Sequence, residues 1–375
     1  MRVIVVGLGV IGRAVSLGLS RRGISVVGLD ARGPLHREGS SHGESRIIRT
    51  AYYEHPDYVP LAKESFRLWT RLERETLGVG NLLENRACLT VGKPDSEVVA
   101  GVVRAAAEHG LAVEQLDAGE LEKQFDWLKS GQGWKGALEQ EAGILHADRC
   151  RQALAKRAGE LGADLRFETA VREWGSSQLG VWVKTDGGVV EGDRLVLCPG
   201  PWALGLIGPI AKPLRVMRQV SGWTEMAGGV PGGLPVFFFD THEGYFYGMR
   251  AADGTGVKMA RHYGAPECGD VGEIENEPVL QDRLCLEGFA HKHTPGLCEL
   301  GNQETIGRME VCRYTLSPDR HFVVGELPGH CGLAHVAGGM SGHGFKFAPA
   351  IGEMVTACLL EGKRPLEMFS PGRFG

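Results

Sequence analysis

Arg2-Val3-Ile4-Val5-Val6-Gly7-Leu8-Gly9-Val10-Ile11-Gly12 is the stretch that decides the fold. A β-branched run leads directly into three glycines spaced G-x-G-x-x-G. Apolar Ile11, Val15 and Leu19 then recur at helical intervals up to Arg21-Arg22-Gly23. Ile24 to Leu29 reads as a second strand and ends at Asp30, which completes a βαβ unit. The three glycines do different things. Gly7 permits the tight turn, Gly9 lets the backbone approach a diphosphate, and Gly12 lets helix and strand pack closely. The helix start at Val10 and Ile11 presents unpaired N–H groups to an anion, and Asp30 is placed to accept from a ribose diol. This much predicts a dinucleotide site and does not separate FAD from NAD.

Outward from this unit, amphipathic helices are expected near 63–75, 98–109 and 149–161, with strands near 111–114 and 165–168. A hairpin turns at Asp186-Gly187-Gly188, and Leu195 to Cys198 reads as a buried strand. Residues 215–262 carry several strands with glycine-rich turns. Leu333 to Val336, the turn Gly338 to Gly344 and a helix over 345–361 return to the Rossmann pattern. The expected class is α/β, with a dinucleotide-binding Rossmann-like domain interleaved with a β-sheet-rich substrate domain. The first takes residues 1–79, 145–213 and 318–375, and the second takes 80–144 and 214–317. The loop 39–49 follows the ribose-binding acid, and its Arg46 and Arg49 stand three apart, as on one helical face.

Composition narrows the function. A net charge of −5 leaves no electrostatic footprint for nucleic acid or an anionic membrane. Glycine, at 56 of 375 residues, runs at about twice ordinary usage without a collagen-like period. That suits a chain whose backbone approaches a large ligand at several places. Nine scattered cysteines include no C-x-x-C pair, and their odd number suits a reducing compartment. No metal site is expected. With a strand starting at once and no apolar span, the expectation is a cytoplasmic monomer that binds neither membrane nor nucleic acid.

Four segments carry a resemblance over essentially the whole chain. They are Gly7 to Gly12; Ser41-His42-Gly43-Glu44-Ser45-Arg46-Ile47-Ile48-Arg49; Cys312-Arg313-Tyr314-Thr315 with Pro318-Asp319-Arg320-His321-Phe322; and Ser341-Gly342-His343-Gly344-Phe345-Lys346-Phe347. The chain resembles the monomeric sarcosine oxidase family, which includes N-methyltryptophan and pipecolate oxidases, among the D-amino-acid-oxidase-like flavoproteins. The resemblance implies FAD tethered covalently through Cys312, with Gly7, Gly9, Val10, Ile11, Gly12, Asp30, Ser40, Ser41, Arg46 and Val171 around it. It also places Gly342, His343, Gly344, Phe345 and Lys346 against the flavin ring. Glycines there let the chain pass close to a flat ring, and the following helix directs its positive end at it.

For the substrate, the resemblance implies that Arg49 and Lys346 hold a carboxylate, by a bidentate fork and a point charge. It makes Lys258 the oxygen-activating lysine, puts His262 near the substrate amine, and adds His42, Arg46, Tyr247 and Tyr314 to the active site. Without it, Lys258 reads as a surface lysine and His262 as a satisfied polar residue. The implied reaction is oxidation of a secondary or N-methyl amino acid to an imine, with oxygen reduced to hydrogen peroxide. Cyclic imino acids, a tailoring reaction on a secondary metabolite, and a dehydrogenase that passes electrons to a partner are the alternatives. Met340, Gly325, Arg313 and Arg250 depart from the family pattern and leave the particular amine open.

Overall fold

The computed structural model describes residues 1–226, 229–298 and 305–374. Residues 227–228 and 299–304, inside the second expected domain, and Gly375 lie outside the described residues. The opening stretch forms the strand Arg2–Val6 and the helix Val10–Ser20, followed by the strand Ser25–Leu29. Gly7 adopts φ +90, and a Cβ there would meet the Cys198 carbonyl oxygen at 2.2 Å; at Gly12 it would meet the Gly7 oxygen at 1.8 Å. Neither position accepts a side chain, which is the physical content of the fingerprint.

These strands belong to a six-stranded sheet in the order Val323–Glu326, Ala334–Gly338, Arg194–Leu197, Arg2–Val6, Ser25–Leu29, Asp164–Arg166. It is parallel except for the antiparallel edge strand Val323–Glu326. Helices Val10–Ser20 and Ala348–Glu361 pack on it, and their close approach is permitted by Gly18 and Gly352, where a Cβ would strike the other helix. Among the described residues the second large sheet has nine strands. Val236–Thr241 lies near its centre, parallel to Cys88–Gly92, while Arg215–Thr224 pairs with Ile306–Leu316 over most of its length. Its two faces bury separate groups of side chains, with Phe237, Phe239, Phe246 and Phe289 in one cluster and Met217, Tyr314 and Leu316 in another.

Most expected elements are present with shifted ends. The 63–75 helix starts earlier and runs Tyr58–Glu75. The 98–109 helix is Glu97–His109, capped by the Ser96 hydroxyl and closed by left-handed Gly110; the next strand therefore starts only at Val113. The 345–361 helix is split into a 3-10 turn Phe345–Phe347 and the helix Ala348–Glu361, with Pro349 in its first turn. One expectation is corrected. Ser45–Arg49 is a strand, paired antiparallel with Ala142–His146, so Arg46 and Arg49 point to opposite faces of it. The β-branched pair Ile47-Ile48 and the ladder override the polar look of the loop before it. Among the described residues no helix is long and apolar enough to cross a membrane, and no cluster of His, Cys, Asp or Glu is fit to hold a metal.

Candidate active site

A cavity of about 550 Å³ runs from the glycine turn of the first sheet to the inner face of the second. Every candidate cofactor- or substrate-binding residue named from the sequence lines it, from Gly7 through Val171 to Lys346. At one end the helix start at Val10 faces inward, with its first N–H held by the Ser41 hydroxyl at 3.1 Å. Asp30 accepts from the Leu8 N–H at 2.6 Å and the Arg32 N–H at 2.8 Å, so its carboxylate is fixed at the end of its strand. Two arginines that no sequence motif marks stabilise this end. Arg13 and Arg151, each 1% exposed, both donate to the Pro34 carbonyl and hold the loop beyond Asp30. Burial and the Arg151 charge push Arg13 down to about 10.

The middle of the cavity carries Cys312, on Ile306–Leu316 opposite Gln219. Its Sγ lies 3.9 Å from the Ser40 carbonyl. Nearby, Arg46 donates to the Ser40 and His42 carbonyls and lies over the Phe345 ring at 5.4 Å. His42 is buried, and neither of its ring nitrogens has a partner. Burial first, and then Arg46 and Lys258, push it down to about 3, so the ring is neutral. Gly342 has φ +81, and a Cβ there would meet the Tyr314 ring at 2.4 Å; glycine is what lets the C-terminal turn close on the tyrosine.

Two cationic centres also line the cavity. Lys258, on Val257–His262, is 2% exposed and donates to the Ser45 carbonyl at 3.1 Å. Burial pushes its ammonium down to about 7, helped by Arg46 and opposed by Cys312, Glu44 and Glu310. Trp223, unremarked in the sequence, lies 5.2 Å from the ammonium; its indole N–H is held by Glu44 at 3.0 Å, and Arg308 covers it at 4.0 Å. The second centre is Arg49 with Lys346. Arg49 donates to the Ala51 carbonyl at 2.6 Å and to Glu54 at 2.9 Å, and lies over Tyr52 and Tyr53. Burial works against its charge, but the Glu54 carboxylate more than restores it and holds the guanidinium above its ordinary range.

Lys346 donates to the Tyr52 hydroxyl and the His343 carbonyl, both at 3.2 Å. Burial, reinforced by Arg49, pushes it down to about 7. His262 meets the Tyr314 hydroxyl through Nδ1 at 3.3 Å, and burial holds it well below the usual histidine range. Tyr247 is half-buried and raised above the usual tyrosine range, chiefly by desolvation. Glu54 is an acid that the sequence alone does not single out. It lines the cavity yet sits in a tyrosine-rich stretch with no motif to mark it.

The Lys346 value has a measurable consequence. Below about 7 its ammonium is already present, so binding of an amine-free carboxylate such as propionate should not vary with pH. Above that value a carboxylate bound against Lys346 would have to restore the proton. The propionate Kd is therefore expected to rise by about tenfold per pH unit until the liganded pKa is reached. Lys346→Met should bind propionate more weakly and flatten the profile; an unchanged slope in the variant would assign the titration elsewhere.

The family model described as FAD dependent oxidoreductase, DAO, matches residues 2–358. The monomeric sarcosine oxidase of Streptomyces avermitilis is 35% identical over 385 residues, covering 99% of this chain and 97% of its own. An N-methyl-L-tryptophan oxidase of Escherichia coli O81 is 29% identical over 356 residues, covering 94% and 92%. Among solved structures, the open form of NikD, an amino acid oxidase of nikkomycin biosynthesis, superposes with a TM-score of 0.86. It is 23% identical and covers 98% of this chain and 96% of its own, a likeness of fold.

Proposed function

We infer the function from one premise: this chain belongs to the DAO family of FAD-dependent oxidoreductases. It is an FAD-dependent oxidase of a secondary or N-methyl amino acid, with oxygen as electron acceptor. The observation that carries this is that one cavity is lined both by buried Lys258, held at the Ser45 carbonyl, and by a second cationic group, buried Arg49 with half-buried Lys346 beside Tyr52.

The residues fit the cofactor. The inward-facing helix start at Val10 to Gly12 suits the diphosphate, and Asp30 keeps lone pairs for a ribose diol. The unpartnered nitrogens of His42 are buried polar atoms that a ligand in the cavity would satisfy. We place the ring between Arg46, Cys312, Tyr314 and the Gly342–Lys346 turn, with the remaining contacts at Gly7, Gly9, Ile11, Ser40, Ser41 and Val171. When bound, FAD supplies a two-electron acceptor that takes a hydride equivalent from the carbon beside the amine nitrogen and passes the electrons to oxygen.

The chain's own residues bind, orient and adjust protons. Arg49 and Lys346 hold the substrate carboxylate, and to do so Arg49 exchanges its Glu54 partner for the ligand. The amine reacts unprotonated. Neutral His262, oriented through Nδ1 by Tyr314, tunes the field at the amine and its proton rather than serving as an obligatory base, while Tyr247 closes the wall beside it. Lys258 is a fixed cation in a water-poor wall, where charge stabilises developing negative charge more than it would in water. This supports an oxidase over a dehydrogenase.

Cys312 Sγ is read as the covalent attachment point, a thioether to the ring. Acid precipitation is expected to leave the yellow in the pellet, whereas Cys312→Ser should release it to the supernatant. Colourless wild-type pellets would end this assignment. The 1–79, 145–213 and 318–375 segments are read as the FAD-binding unit, with 80–144 and 214–317 as the substrate unit. What supports the division is that the six-stranded sheet draws every strand from the first set and the nine-stranded sheet draws every strand from the second. We place the enzyme in the cytoplasm as a monomer, in keeping with its nine free cysteines.

A further inference from the structure

We propose that Glu139, buried behind the substrate subsite, is a positioning residue that sets the Arg49 guanidinium through the backbone of Thr50 and Ala51. It is the last residue of Lys135–Glu139, where the register places it beside Cys88 on one side and Val113 on the other. Its side chain is 2% exposed and lies outside the cavity lining. A single oxygen, Oε2, accepts from the Thr50 N–H at 3.0 Å, the Thr50 hydroxyl at 3.1 Å and the Ala51 N–H at 2.8 Å. Arg49 in turn donates through Nη1 to the Ala51 carbonyl at 2.6 Å. The carboxyl thus fixes the segment whose oxygen holds the guanidinium.

Local structure explains why an acceptor is needed there. The ladder with Ala142–His146 ends at Arg49, so the next two N–H groups leave the sheet while still buried. Buried N–H groups need partners, and Glu139 provides one for both. Its role is geometric. Oε1 has no partner, and burial pushes the carboxyl up to about 7, against the pull of the Ala51 N–H and the Arg49 charge. A group this close to neutral acts by where its oxygen stands, so a neutral isostere should replace it. The proposal rests on Arg49 binding the substrate carboxylate.

The test compares Glu139→Gln, Glu139→Asp and Glu139→Ala, with Arg49→Met as reference, in the FAD-loaded enzyme. Propionate Kd is read from the flavin absorbance, and the limiting rate of flavin bleaching from anaerobic mixing with N-methylglycine. Gln is expected to keep the propionate Kd within about twofold, because its amide oxygen can accept the same bonds. Asp withdraws the oxygen by about 1.5 Å and should raise Kd about tenfold or more, with the limiting rate changed less than about threefold. Ala should behave like Asp; if it does not fold, the Gln–Asp pair decides. The reverse order, with Asp native-like and Gln impaired, would overturn a positional role in favour of charge. Equal Kd in all three with a weakened Arg49→Met would overturn the Glu139 proposal alone. An unchanged Kd in Arg49→Met would remove the carboxylate clamp, and the proposal with it.

Discussion

Replacing Lys258 with methionine is expected to slow the reaction with oxygen by on the order of 10²–10³-fold. The anaerobic bleaching of the flavin by substrate should stay within about threefold. Methionine keeps an unbranched apolar side chain and removes the ammonium, with its contact to the Trp223 ring and its bond to the Ser45 carbonyl. The cation is held at the Ser45 carbonyl in a wall closed by Trp223, whose indole is fixed by Glu44. Negative charge that forms near it meets a preorganised ammonium. Because burial pushes Lys258 down to about 7, this help is fully present below that pH and fades above it in the unliganded site. Stopped-flow measurement of the two half-reactions separates the effects. Equal slowing of both would make Lys258 a structural lysine.

Arg49→Met should lower kcat/KM by roughly 30- to 5000-fold, the range that corresponds to the about 2–5 kcal/mol lost when one partner of a buried, hydrogen-bonded charge pair is truncated. Two effects act together. The substrate carboxylate loses its fork, and Glu54 stays in the cavity without the cation that neutralises it. The uncompensated Glu54 then repels an incoming carboxylate. Adding Glu54→Gln to Arg49→Met should therefore recover part of the loss, as read from steady-state kinetics of the double variant beside each single one. A double variant as impaired as Arg49→Met would show that Glu54 does not oppose the substrate.

The dinucleotide unit was legible because each of its requirements is local: three glycines, one helix start and one acid lie within the first 30 residues. The cofactor, and the distant residues around it, became legible only through segments that match a known pattern. What stayed hidden was pairwise and non-local. Glu139 reaches Thr50 across 89 positions of sequence, and Trp223 reaches Glu44 across 179; neither carries a motif. The three-residue spacing of Arg46 and Arg49 suits one face of a helix. The ladder with Ala142–His146, invisible from the loop itself, makes that segment a strand and sends Arg46 toward Phe345 and Arg49 toward Glu54.

The central claim, an oxygen-linked oxidation of a carboxylate-bearing secondary amine, is tested most directly by one assay. Hydrogen peroxide release is measured with N-methylglycine, pipecolate, proline and N-methyltryptophan beside dimethylamine, which has no carboxylate. Peroxide equal to the oxygen consumed is expected with at least one of the four acids, and little or none with dimethylamine. Turnover that reduces an artificial dye without consuming oxygen, or that proceeds equally well with dimethylamine, would contradict it.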